Sequence, residues 1–86
     1  MVVNELLNAL FEDEKEKYGE ERVLKVIEEQ LKTLEPRPQE VINLRYSNHS
    51  LAEIGEKFKL SPIAIFNIES KGLSLLKRRV RASLKK

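Results

Sequence analysis

Between Ser70 and Lys86 the chain carries seven basic side chains (Lys71, Lys77, Arg78, Arg79, Arg81, Lys85 and Lys86) and no Asp or Glu. Such a run is either a solvated charged tail or a surface that displaces the counterions of a phosphate backbone, and the helix-turn-helix pattern directly before it favours the second. The other polar groups offer little chemistry. His49 is the only histidine and stands in the polar run Ser47 to Ser50, where an imidazole is normally solvated. The carboxylates are spread through charged segments, with no pair set apart as acid and base. There is no Gly-rich phosphate loop and no zinc spacing. With no cysteine, disulfides and thiolate metal sites are excluded. The expectation is a binding protein, not an enzyme, with no cofactor and no metal.

Charge is divided along the chain. Residues 1–36 hold five basic and ten acidic side chains, a net −5, whereas residues 37–86 hold eleven and four, a net +7. The total of +2 therefore hides a strongly positive second half. An acidic half would repel DNA and is expected to face away from it. The opening run turns acidic too early to cross a membrane and lacks the basic start of a secretory signal. A cysteine-free, membrane-free chain of this kind points to the cytoplasm.

These cations need elements to position them. The 86 residues are 41% hydrophobic and 35% charged, which suits one small helical domain. Leu6, Leu7, Leu10 and Phe11 form one apolar stripe on a helix from Val3 to about Lys17. That stripe needs a cover, and a homodimer is one way to supply it. Gly19 breaks the pattern. Val23, Leu24, Ile27, Leu31 and Leu34 mark a second helix over Glu20 to Leu34. Pro36 and Pro38 end it, with Pro38 in the first turn of a third helix that buries Val41, Ile42 and Leu44.

The run LAEIGEKFKLSPIAIFNI, Leu51 to Ile68, reads as two short helices joined by a tight turn. Ser50 with Glu53 makes a capping box. Ile54, Gly55 and Phe58 then face the core, and Gly55 is small enough for Ile65 on the next helix to touch it. Lys59 takes the turn position that favours glycine, at a cost of about 1 kcal/mol. Ser61 caps the final helix and Pro62 fits its first position. That helix continues through Ile65, Ile68, Leu73, Leu76 and Val80 and frays towards Lys86. The fold class is all-α: four to five helices with a C-terminal helix-turn-helix.

LKTLEPRPQEVINLRY followed by SLAEIGEKFKLSPIAIFNIESKGLSLLKRR resembles region 4 of bacterial sigma-70-type factors. The likeness covers Gln30 to about Arg79. It rests on the turn at Leu34, Pro36 and Arg37, the VINLRY and SLAEIGEKF helices, and the basic run that follows. It divides the chain into an acidic N-terminal helical segment, residues 1–34, and a region-4-like segment, residues 35–86. The resemblance implies binding of promoter DNA through the second helix of the motif. It also implies contact with the RNA polymerase beta flap or another transcription subunit.

Carried over by position, Arg45, Ser50 and Lys57 would meet the DNA backbone, and Lys71, Lys77, Arg78 and Arg79 would extend that contact. Such contacts position a domain without reading sequence. The base-reading or partner face would be Ser61, Pro62, Ile63, Phe66 and Asn67. Here the chain departs from the family, which typically presents Arg and Glu. No guanidinium is available to pair with guanine, while Asn67 suits adenine and Ile63 and Ala64 suit thymine methyl groups.

Two readings of this face follow. One is a sigma-like protein touching A·T-rich, promoter-type DNA, with N-terminal helices too acidic to open a promoter alone. The alternative is a regulator or adaptor whose Ile63 and Phe66 strip binds a protein. A third expectation is plainer: the N-terminal helices fold back and cover Phe66.

Overall fold

Phe11 divides what the sequence presents as one N-terminal helix. Its φ of −127° and ψ of 31° lie outside the helical range, so the chain bends there before the acidic segment begins. In the computed structural model, which describes residues 2–86, the order is α1 (Val2–Leu10), α2 (Glu12–Tyr18), α3 (Glu20–Leu31), α4 (Pro36–Arg45), α5 (Leu51–Phe58) and α6 (Pro62–Leu84). The expected Val3 to Lys17 helix is thus two helices. The bend has a physical reason: Leu6, Leu7 and Phe11 are all buried, whereas α2 contains no buried residue. Turning at Phe11 sends the aromatic ring inwards and the carboxylates of α2 outwards.

Two further boundaries shift. α3 ends at Leu31, and Leu34 stays buried in the turn that follows. α4 starts at Pro36, so both prolines lie in its first turn, where N–H groups have no partner to lose. In α4, Val41 and Ile42 are buried and Leu44 only partly so; Phe58 in α5 is also partly buried.

α6 is the spine. At 1.5 Å per residue it is about 34 Å long, close to the 39 Å longest dimension of the molecule. Its first half packs Ile65 with Val41 and Ile54 in a small core. The second half places Leu76, Val80 and Leu84 in a larger core with Leu6, Leu7, Phe11, Val23 and Ile27. α4 spans both, sending Val41 to one core and Ile42 to the other. Where α4 crosses, Gly72 leaves α6 without a side chain: a Cβ there would stand 3.0 Å from Ile42 Cδ1 and 3.2 Å from Pro38 Cβ.

The apolar stripe of α1 is therefore covered within the chain, with Leu6 and Phe11 at 0% exposure. The homodimer expected from that stripe loses its basis. Nor does α6 fray before its end. Leu84 is buried at 2% exposure, and Arg22 Nη2 donates to its carbonyl at 3.1 Å, placing a cation on the negative end of the helix dipole. Arg79 donates to the Thr33 carbonyl at 3.2 Å and Oγ1 at 2.9 Å. Arg81 pairs with Glu14 at 3.2 Å. Three arginines thus tie the N-terminal helices to the far half of α6.

Candidate functional site

The tight turn is built by its caps. Ser50 Oγ accepts from the Glu53 N–H at 3.1 Å, and Glu53 Oε1 accepts from the Ser50 N–H at 2.8 Å. The Ser50 backbone N–H, with the Ser50 hydroxyl beside it, holds the Glu53 carboxyl below its ordinary value, because a donor to the carboxylate favours the ionised form. Lys59 adopts the left-handed conformation, φ 58° and ψ 44°. Ser61 Oγ then accepts from the Ala64 N–H at 3.1 Å and opens α6, with Pro62 in its first turn.

Gly55 matters for a different contact from the one expected. A Cβ there would lie 2.5 Å from the Leu60 carbonyl oxygen, and the Leu60 N–H donates back to the Gly55 carbonyl at 2.8 Å. The tightest constraint on the glycine is thus the turn's own backbone. Ile65 faces inwards as anticipated, at 0% exposure.

The outer side of α6 is bare. Ile63 is 74% exposed and Phe66 52% exposed; Ser61, Pro62 and Asn67 are exposed beside them, and Ala64 is partly buried. The N-terminal helices do not cover Phe66, because they dock on the opposite end of α6. Further along, Lys71, Ser74, Arg78, Arg81 and Lys85 are all exposed. Together with Ile63 and Asn67 they recur at steps of three and four residues, which places them in one row along the helix. Ile65, Glu69, Gly72, Leu76, Val80 and Leu84 make the buried row.

Several cations expected at phosphates have partners inside the chain. Arg45 Nε lies 3.0 Å from Glu69 Oε2, and its other nitrogen donates to the His49 carbonyl at 3.4 Å. Lys57 pairs with Glu40 at 2.9 Å. Arg79 turns to Thr33, and both polar groups of Ser50 are engaged by Glu53. By contrast, Lys71, Lys77 and Arg78 enter no ion pair or side-chain hydrogen bond among the described residues. Lys77 is partly buried and the other two are exposed.

Glu69 is the one buried charged residue described, at 7% exposure, and Arg45 is its counter-charge. Nearby, burial pushes the Tyr46 phenol above its ordinary 10.0, and the Glu69 carboxylate adds to that. His49 Nδ1 lies 3.1 Å from the Leu44 carbonyl. These groups fasten the α4–α5 loop to α6.

The arrangement is that of a helix-turn-helix whose second helix buries one side and exposes Ile63, Phe66 and Asn67 on the other. A family profile, sigma-70, region 4, matches residues 30–78. The chain belongs to the sigma-70 region 4 family. The region 4 match takes in α4, α5 and α6 as far as Arg78, and it leaves α1, α2, most of α3 and the end of α6 outside. No curated protein and no solved structure matches the chain. Membership in region 4 links the chain to sigma-70-type transcription factors, a non-enzymatic class. Among the described residues, no group of three or more His, Cys, Asp or Glu is placed to hold a metal ion. No described helix is long and apolar enough to cross a membrane.

Two features of this surface go beyond the sequence analysis. Arg81 and Lys85, counted there only within the basic run, continue the exposed row, and the three- and four-residue steps from Asn67 would have shown it. Glu14 reaches Arg81 across the fold, and nothing in the spacing signals that pairing.

Proposed function

We propose that this chain is a transcription protein that binds duplex DNA through α5 and α6, with the N-terminal end of α6 in the major groove. The observation that carries this reading is the exposed end of α6, where Ile63 and Asn67 share a row with Lys71. Asn67 would pair with adenine N6 and N7, Ile63 would contact thymine methyl groups, and Lys71 would meet a phosphate at the groove edge. The missing guanidinium makes the favoured element A·T-rich. The acidic helices pack against the far half of α6, away from the end that carries Ile63 and Asn67, although Asp13 and Glu14 of α2 lie beside Arg81 and Lys85. In this reading the protein acts with polymerase or a partner subunit instead of opening promoters alone.

The test is a titration of labelled A·T-rich and G·C-rich duplexes at several salt concentrations. The expected result is tighter binding to A·T-rich duplexes, a steep fall of affinity with salt, and loss of the preference in Asn67→Ala. Equal affinity for both duplexes, unchanged in Asn67→Ala, would rule out base reading by this helix.

A second reading is favoured by the exposure of Ile63 and Phe66. Apolar side chains in that position suit a protein groove or helix, which would make the chain an adaptor of polymerase. A folded Ile63→Ser/Phe66→Ser double variant would then lose binding to RNA polymerase core or its beta flap. Retained binding would exclude the strip as that contact.

A further inference from the structure

The exposed row of α6 is longer than a DNA groove is wide. Asn67 and Arg78 are separated by about 16 Å along the axis, and Asn67 and Lys85 by about 27 Å. The major groove is about 12 Å across. A straight helix that seats Ile63 and Asn67 on base edges and leaves the groove at its C-terminal end carries Arg78, Arg81 and Lys85 to the backbone outside it. These three are exposed and follow one another on the same face, with Ser74 before them. An open trough of about 520 Å³ lies along them, lined by Ser74, Lys77, Arg78, Arg81, Ala82 and Lys85.

The opposite face of this half of α6 is fixed. Leu76, Val80 and Leu84 are buried, Arg79 is held by Thr33, and Arg22 holds the final carbonyl. The backbone that carries the row is thus anchored to the core along its opposite side. One acid intrudes. Glu14, its side chain 16% exposed, pairs with Arg81, whose side chain is 48% exposed. The cleft between them is lined by Asp13, Glu14, Lys17, Tyr18, Arg81 and Lys85.

We infer that Arg78, Arg81 and Lys85 form a second phosphate-backbone track at the far end of α6, with Glu14 an intramolecular competitor for Arg81. The track takes nucleic-acid phosphates outside the groove that receives Ile63 and Asn67, and it reads no sequence. From Arg78 to Lys85 it spans about 10 Å, the axial rise of about three phosphates of one strand. Glu14 sets how many of its cations are free. This rests on the DNA reading above, but its residues and its readout are different.

The experiment compares the slope of log affinity against log salt for the full chain and its variants on the A·T-rich and G·C-rich duplexes. Arg78→Gln/Lys85→Gln should lower the slope by about 2 on both, because each phosphate contact contributes about 0.9. Glu14→Gln should raise the slope by about 1, and Arg81→Gln added to it should remove the gain. An unchanged slope in folded Arg78→Gln/Lys85→Gln overturns the track, and no gain in folded Glu14→Gln overturns the competition. If Glu14→Gln does not fold, Arg78→Gln/Lys85→Gln decides the track and Arg81→Gln alone decides the competition: with Arg81 held by Glu14 the slope should stay unchanged, and a fall of about 1 overturns the competition. A sequence preference lost in Asn67→Ala with the slope unaltered by Arg78→Gln/Lys85→Gln would leave base reading standing and the track refuted. The converse pattern would leave the track standing and base reading refuted.

Discussion

Arg45 and Glu69 meet at 3.0 Å, joining the last turn of α4 to the middle of α6. The Glu69 side chain is only 10% exposed, and the Arg45 guanidinium is the side-chain donor it meets. Arg45→Ala should cost about 2 kcal/mol in urea unfolding, less than the 3–5 kcal/mol of a fully buried pair. The discount reflects Arg45, which keeps 35% of its side chain in water. Glu69→Gln keeps an acceptor for Arg45 and should lose under about 1 kcal/mol. Equal losses in the two variants would contradict this assignment.

The turn makes a sharper prediction. In Gly55→Ala the new methyl would meet the Leu60 carbonyl at 2.5 Å, and backbone cannot swing aside as a side chain can. The expected loss is at least about 2 kcal/mol. Gly72→Ala meets only the Ile42 and Pro38 side chains, at 3.0 and 3.2 Å, and should cost about 1 kcal/mol. Thermal unfolding of both variants would test the order.

Lys59 holds φ at 58°, a conformation that costs a non-glycine residue about 1–2 kcal/mol. Lys59→Gly removes that strain but gains unfolded-state entropy. A net stabilisation of about 0.5 kcal/mol is expected. A fall in Tm would show that the lysine side chain contributes something the geometry does not reveal.

The capping box gives a pH dependence of known sign. Glu53 has a folded pKa below its ordinary 4.5, so its contribution is fully present above that value. It is lost as pH falls through the lower folded pKa. The Tm difference between wild type and Glu53→Gln should accordingly shrink on acidification below about pH 4.5. A difference that stays constant to strongly acid pH would contradict the carboxylate cap.

Phe11 and Leu84 are placed in one buried cluster, although they stand at opposite ends of the chain. Phe11→Ala should cost about 3–5 kcal/mol, and far- and near-ultraviolet signals should lose structure together. Separate transitions would mean that the N-terminal helices form their own folding unit.

How much of this was legible follows from what each feature depends on. Ser50 with Glu53, the left-handed Lys59 and Ser61 with Pro62 are local contacts within a few residues, so the tight turn and its caps were readable. The inward Ile65 and outward Ile63 and Phe66 follow from helical period alone. The break at Phe11 was not readable, because helix continuity there loses to burying an aromatic ring against α3 and α6. Nor were the partners of the cations. Sequence supplied the basic residues of α6 and the acids of α2, whereas only the tertiary structure decided that Arg45 meets Glu69, Arg79 meets Thr33 and Arg81 meets Glu14. Periodicity assigns a side chain to a face of its own helix. Which other helix faces it depends on packing between segments far apart in the chain, and that packing decided which charges remain available to a partner.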